Sequence, residues 1–241
     1  MKNYNEINPT EYEKMYDIVP RENYMKTHWR PLIEDVIKRY CKPGSETSNA
    51  AEGRKKLKFE VLLPSKDKNV LDLGCGYGRY LGVITQATKN VTGLDISQRW
   101  LSEARKRYPN VKLVLGNASK SPFGDEVFDI VVSIGLFEYV DRKIVMKEIN
   151  RILKKNGLCI ISVPNKYSAF RMVGKFITRI LGGKIETNEP SRREMVKLFK
   201  DNGFLLIEAK MDDGLIWLPN FMDRLCGKKI YKFIEQIFDD F

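Results

Sequence analysis

Five short apolar runs, most of them followed by helical sequence, leave few architectures open to this chain. They are Val70–Leu73, Val91–Asp95, Val111–Leu115, Phe128–Ser133 and Leu158–Val163. Helical sequence follows the first from about Arg79 to Thr88, the second from about Ser97 to Tyr108, and the fourth as far as about Lys155. Short apolar strands alternating with helices read as βαβ units, whose strands pair in parallel and are covered on both faces. Right-handed crossovers then restrict the topology to a doubly wound sheet, so the expected fold class is α/β. In such sheets a ligand binds beyond the carboxyl ends of the strands, where the strand order reverses. The chemistry is therefore expected just after these runs.

The remaining sequence is organised around that core. A chain of 241 residues holds one full domain with a sizeable core. The expected division is an N-terminal helical cap over 1–68, a core over 69–165, a helical insertion over 166–190, and a late helix, strand and amphipathic segment over 191–241. Helices are expected near Met25–Tyr40 and Ala51–Leu63. No apolar run approaches the ~20 residues that cross a bilayer, and the first residues lack the layout of a signal peptide. The expectation is a cytoplasmic protein. Cys41, Cys75, Cys159 and Cys226 contain no CxxC pair, and His28 is the single histidine. That inventory speaks against a zinc knuckle, a disulfide framework, a His-rich metal site and a Ser-His-Asp triad. The formal charge of +11 suits nucleic acid, an anionic membrane surface, an anionic substrate, or simply solvated helix faces.

The most specific local feature follows the first strand: Asp72-Leu73-Gly74-Cys75-Gly76-Tyr77-Gly78. Glycines let the backbone turn tightly and approach a ligand closely, and the helix that follows presents free N–H groups. A dinucleotide fingerprint needs a glycine at position 79, which is Arg79. The spacing is instead G-x-G-x-G with Asp72 ahead of it. A carboxylate there is unwelcome beside a pyrophosphate and suits a ligand with a cationic amino group. Asp95, ending the second strand, is placed to accept both hydroxyls of a ribose. Ile96 and Trp100 could form an apolar shelf for an adenine face, Trp100 alternatively packing its helix.

These residues resemble the class I S-adenosylmethionine-dependent methyltransferases, in the group that includes small-molecule, quinone and lipid methylating enzymes. The resemblance runs from Val70 to about Lys210. Val70–Leu81 is similar to the first motif of the family, Gly93–Ser97 to its second, Phe128–Val140 to its fourth-strand motif, and Leu153–Gly157 to the turn into strand five. Arg193–Lys210 looks like the late helix and strand. The resemblance implies a Rossmann-like, seven-stranded-type sheet. It implies methyl transfer from S-adenosylmethionine, with S-adenosylhomocysteine as product. The implied cofactor residues are Asp72, Gly74, Cys75, Gly76, Gly78, Asp95, Ile96, Trp100, Asn117, Ala118, Ser133 and Ile134, with no metal. Asn117-Ala118 stands where the family usually has Asp-Ala against the adenine edge. Glu138-Tyr139 stands where it often has Glu-His, so a histidine-assisted mechanism is not carried over.

A sulfonium carbon is already electrophilic, so the protein mainly has to align a nucleophile with it. A base is needed only for a nucleophile that arrives protonated. Tyr139, Glu138 and His28 are the candidates, and none is assigned. Specificity is expected from the segments flanking the core. About Ser168–Leu181 reads as a basic amphipathic helix, with Phe170, Val173, Phe176, Ile177 and Ile180 on one face and Arg171, Lys175 and Arg179 recurring every four residues. A second amphipathic stretch runs from Leu215 to Phe241. These two suit a lid, a dimer face, peripheral contact with an anionic membrane, or packing on their own domain. The expected function is methyl transfer to a small, apolar or lipid-like acceptor. An RNA or protein methyltransferase, or a partner subunit that binds cofactor without catalysis, are the alternatives.

Overall fold

The computed structural model describes residues 30–41, 67–163, 180 and 188–206. His28, the helix expected near Ala51–Leu63, the basic segment apart from Ile180, and the stretch from Leu215 lie outside the described residues. Ile180 itself is helical and 68% exposed.

The elements run α1 (Arg30–Cys41), β1 (Val70–Leu73), α2 (Leu81–Ala87), β2 (Val91–Asp95), α3 (Gln98–Arg107), β3 (Lys112–Leu115), β4 (Phe128–Ile134), α4 (Arg142–Ile152), β5 (Leu153–Ser162) and α5 (Arg192–Asp201). The described strands form a five-stranded sheet in the order β3-β2-β1-β4-β5, and every pairing is parallel. This is a doubly wound, Rossmann-like arrangement. Chain order runs outward from β1 to β3 and then jumps across β1 to β4, so the reversal lies between β1 and β4.

Strand β1 is buried along its whole length because helices cover both faces. Alternate residues of a strand point to opposite sides, and the two core layers follow from that. Val70 joins Ile33 and Ile37 of α1, Leu81 and Ile84 of α2, and Leu101 and Ala104 of α3. Leu71 and Leu73 join Val145, Met146, Ile149 and Ile152 of α4 and Met195 of α5. Helices α3, α4 and α5 each begin where a side chain satisfies free N–H groups, Ser97 serving α3. Asp141 accepts from Lys143 and Ile144 at 2.9 and 3.2 Å. Ser191 and Glu194 form a reciprocal capping box. The basic end of α3, Arg105-Lys106-Arg107, sits at the negative end of its dipole.

The structure ends α4 at Ile152, short of the expected Lys155, and starts β5 at Leu153. Leu153 is drawn out of the helical pattern to pair with Phe128, and regular pairing resumes at Ile130↔Leu158. The residues between bulge outward through Asn156 in the left-handed region, φ 62°. A Cβ on Gly157 would stand 2.8 Å from the Lys154 carbonyl oxygen, so the turn admits only glycine there. Among the described residues no helix is long and apolar enough to cross a membrane.

Candidate functional site

The chains leaving β1 and β4 meet at the topological reversal. Gly74 has φ +81°, and a Cβ on it would lie 3.1 Å from Leu136 Cδ1, in the turn after β4. Gly78 has φ +86°, and a Cβ there would lie 3.0 Å from the Tyr108 ring. Both positions need glycine twice over, for the backbone angle and for the space. The loop is sewn to β2 by Gly74 N–H and Cys75 N–H donating to the Leu94 carbonyl at 2.8 and 3.0 Å.

Asp95 pins the same loop by its side chain. Its Oδ2 accepts from Gly76 N–H at 2.9 Å and its Oδ1 accepts from Ser97 N–H at 2.9 Å. A carboxylate offers about four acceptor positions, so Asp95 keeps acceptor capacity beyond its backbone partners. Burial raises the Asp95 pKa above the ordinary value, against the pull of those backbone hydrogen bonds. Asp72 is 2% exposed, and its Oδ2 has no hydrogen-bond partner among the described residues. Burial, with the charge of Asp95 second, pushes its pKa up to about 7. A buried carboxylate that nothing compensates is costly, which makes Asp72 a receptor for a cation or a donor that the described protein does not supply.

The structure separates Ile96 from Trp100. Ile96 is 57% exposed at the end of β2, whereas Trp100 is buried beneath the loop. Its ring stacks on Tyr77 with centroids 5.4 Å apart and planes at 23°, and a Cβ on Gly76 would reach it at 3.4 Å. Tyr77 is braced from outside by Arg107, 4.8 Å from its ring centre, and by Arg79 Nε donating to its hydroxyl at 2.7 Å. Sequence reasoning passed over Tyr77. The signal available was a large aromatic between two glycines, too bulky to be left in solvent beside a ligand. Cys75 is buried, and burial with its two acidic neighbours drives the thiol far above its usual range.

Asn117 and Ala118 are brought alongside by Gly116 N–H donating to the Asp95 carbonyl at 2.9 Å. The Asn117 side-chain oxygen accepts from Ser119 N–H at 2.8 Å, and Ala118 is buried. This loop is held from behind by Glu148 of α4, which accepts from Ser121 N–H at 2.7 Å and from Ser121 Oγ at 2.6 Å. Arg151 donates to the same carboxylate at 2.6 and 3.0 Å and to Asp125 at 2.6 Å. Those hydrogen bonds, the one from Arg151 first, hold the Glu148 pKa down at about 2. Sequence reasoning missed this support. Spacing by three on a helix announces the Glu148–Arg151 pair, but nothing local announces Ser121.

On the β4 side, Ser133 is fully buried and its hydroxyl donates to the Leu73 carbonyl at 3.0 Å. It ties β4 to the last residue of β1. Ile134 is half-buried beside it, Glu138 is half-buried, and Tyr139 is 40% exposed at the end of the following turn. Thus Asp72, Gly74, Cys75, Gly76, Gly78 and Asp95 form one continuous unit, flanked by Ile96 and Asn117-Ala118 on one side and Ser133-Ile134 on the other. Glu138 and Tyr139 stand at its β4 rim.

Residues 71–161 match the family model described as "Methyltransferase domain". Over 175 residues the chain is 29% identical to the demethylmenaquinone methyltransferase of Staphylococcus aureus (strain JH9), covering 62% of this chain and 73% of that one. Among solved structures, an S-adenosylmethionine-dependent methyltransferase from Thermotoga maritima shares 29% identity and a TM-score of 0.50, covering 60% of this chain and 67% of its own. The described residues fit such a cofactor: Asp72 Oδ2 is buried without a partner among them, as an ammonium group would require, and Asp95 keeps acceptor capacity that a diol would use. By motif, strand order and kinship, residues 71–161 are a methyltransferase domain of the kind that uses S-adenosylmethionine as methyl donor.

Proposed function

We propose that this enzyme methylates a small, apolar, lipid-like acceptor of the prenylated hydroquinone class. The observation that carries the reading is the 175-residue likeness to a demethylmenaquinone methyltransferase. When bound, the cofactor supplies an electrophilic sulfonium methyl group. On this reading Asp72 faces its ammonium, and Asp95 accepts its ribose hydroxyls on the lone pairs its backbone partners leave. The loop from Gly74 through Cys75 and Gly76 to Gly78 gives close backbone approach. Ile96, Asn117 and Ala118 face the adenine, with Trp100 supporting the loop from beneath rather than offering an open shelf. Ser133 and Ile134 close the β4 side.

The acceptor then meets the methyl group from the turn after β4. Holding a nucleophile in line there supplies much of the acceleration by itself. A hydroquinone loses a proton on methylation, and Tyr139 and Glu138 are the described groups at that rim able to accept one. A lipid-like acceptor also gives the +11 charge a use, since each basic residue near an anionic membrane contributes about 1 kcal/mol of attraction.

The test is transfer of label from methyl-labelled S-adenosylmethionine to demethylmenaquinol carried in phosphatidylglycerol vesicles. Label in the extracted prenylated quinone is expected. Label entering RNA or protein of a cell extract, with none in the lipid fraction, would overturn the acceptor class.

A further inference from the structure

Arg142 stands where a helix least favours it. It is the first residue of α4, directly after the Asp141 cap, and a cation in the first turn meets the positive end of the helix dipole. Its guanidinium turns away from the helix and joins two segments distant in sequence. Nε donates to the Phe137 carbonyl at 3.1 Å. Nη2 donates to the Asn188 side-chain oxygen at 2.6 Å and also to the Asn188 carbonyl. Phe137 belongs to the turn that carries Glu138 and Tyr139, while Asn188 opens the approach to α5.

Each segment is anchored on its other side. Phe137 is fully buried, and Leu136 packs over Gly74 of the glycine loop. Tyr139 N–H closes the turn on the Leu136 carbonyl at 2.9 Å. Beyond Asn188, Glu189 and Pro190 are buried and lead into the Ser191–Glu194 capping box. The guanidinium thus joins two segments that also share the core cluster of Phe137 and Met195, and it does so at the rim facing the acceptor. Only a planar fork with donors in fixed directions can serve both at once. A lysine is a point charge on a flexible stem.

We infer that Arg142 is a positioning residue for methyl transfer: it holds the Leu136–Tyr139 turn in register with Asn188, and so sets where the acceptor lies relative to the cofactor loop. Its bonds to Asn188 are solvent-exposed, so they contribute little to global stability and much to local order. The acceptor part of the test rests on the hydroquinone reading above; the local-order part does not.

The variants are Arg142→Gln, Arg142→Lys and Asn188→Ala. In amide hydrogen exchange, the Tyr139 N–H is expected to exchange about tenfold faster in both Arg142 variants, because local opening is governed by local contacts. Exchange in the Gly74–Gly78 loop serves as the internal control and should not move. With demethylmenaquinol as acceptor, kcat should fall about tenfold in Arg142→Gln with no rescue by lysine, the scale on which small misplacements act. Affinity for S-adenosylhomocysteine should be unchanged, and Asn188→Ala should fall between. Unaltered exchange at Tyr139 would overturn the inference. So would equal losses of kcat and cofactor affinity, which mark a general structural defect. If the parent enzyme does not methylate demethylmenaquinol, the acceptor reading fails alone, and the exchange data decide the role of Arg142.

Discussion

Replacing Asp72 by asparagine should make the ligand-free protein more stable at neutral pH while impairing cofactor binding. Each pH unit by which a carboxyl pKa is raised corresponds to about 1.4 kcal/mol of preference for the protonated form. A rise from 3.8 to about 7 therefore sets the cost of an ionised Asp72 at about 4 kcal/mol. The folded state binds this proton more tightly than the unfolded chain does, so the group's contribution declines as pH rises from about 4 to about 7. Below that window it has no effect, and above it the full cost applies. Asparagine keeps the shape and does not titrate. Whatever the buried amide costs in its own right is constant with pH and drops out of the comparison. Integrated over the titration, the variant's stability relative to the parent should improve by about 2.5 kcal/mol between pH 5 and pH 8. Urea denaturation at pH 5, 6, 7 and 8 measures this directly. The same proton must leave when an ammonium group arrives, so parent affinity for S-adenosylhomocysteine should climb as pH rises from 5 toward 7, by up to about tenfold per unit. The variant should bind more weakly, without that slope. A stability difference that stays flat from pH 5 to pH 8 would show that Asp72 is not a buried, uncompensated acid.

Two further perturbations address the neighbouring supports. Asp95→Ala removes the acceptors proposed for the ribose and also frees the Gly76 and Ser97 N–H groups; calorimetry should show a loss of roughly 1.5–3 kcal/mol in S-adenosylhomocysteine binding, the scale of hydrogen bonds to a charged group. Glu148 has a depressed pKa of about 2, so its contribution to stability is complete above its ordinary value of 4.5 and is lost as pH falls from there toward 2. Glu148→Gln should therefore lower urea stability at pH 7 and flatten the acid limb of the stability profile below pH 4.5.

Much of this protein was legible in local pattern. The apolar runs predicted the described strands to within a few residues, except that β5 begins at Leu153 and α4 stops at Ile152, since pairing with Phe128 outcompetes helical continuation. Asp72, the glycine spacing and Asp95 pointed to one cofactor because each signal lies within one strand and the turn that follows it. What those residues touch was not legible.

Strand and helix periods report which side of an element is apolar; they do not report which loops will meet once the strands are ordered. The alternation of strands and helices by itself determined an α/β sheet, and the glycine spacing together with Asp72 and Asp95 pointed to the class of ligand. Only the tertiary structure decided that Asp72 Oδ2 is buried with no partner among the described residues and that Asp95 is held by backbone N–H groups of two loops. Only it placed Trp100 beneath Tyr77, Ser121 on Glu148, and Arg142 between Phe137 and Asn188. The Gly76–Asp95 bond spans 19 residues, Ser121–Glu148 27 and Arg142–Asn188 46. Contacts of that range exist because β1 lies between β2 and β4, an order set by the packing of all the helices at once and written in no single segment.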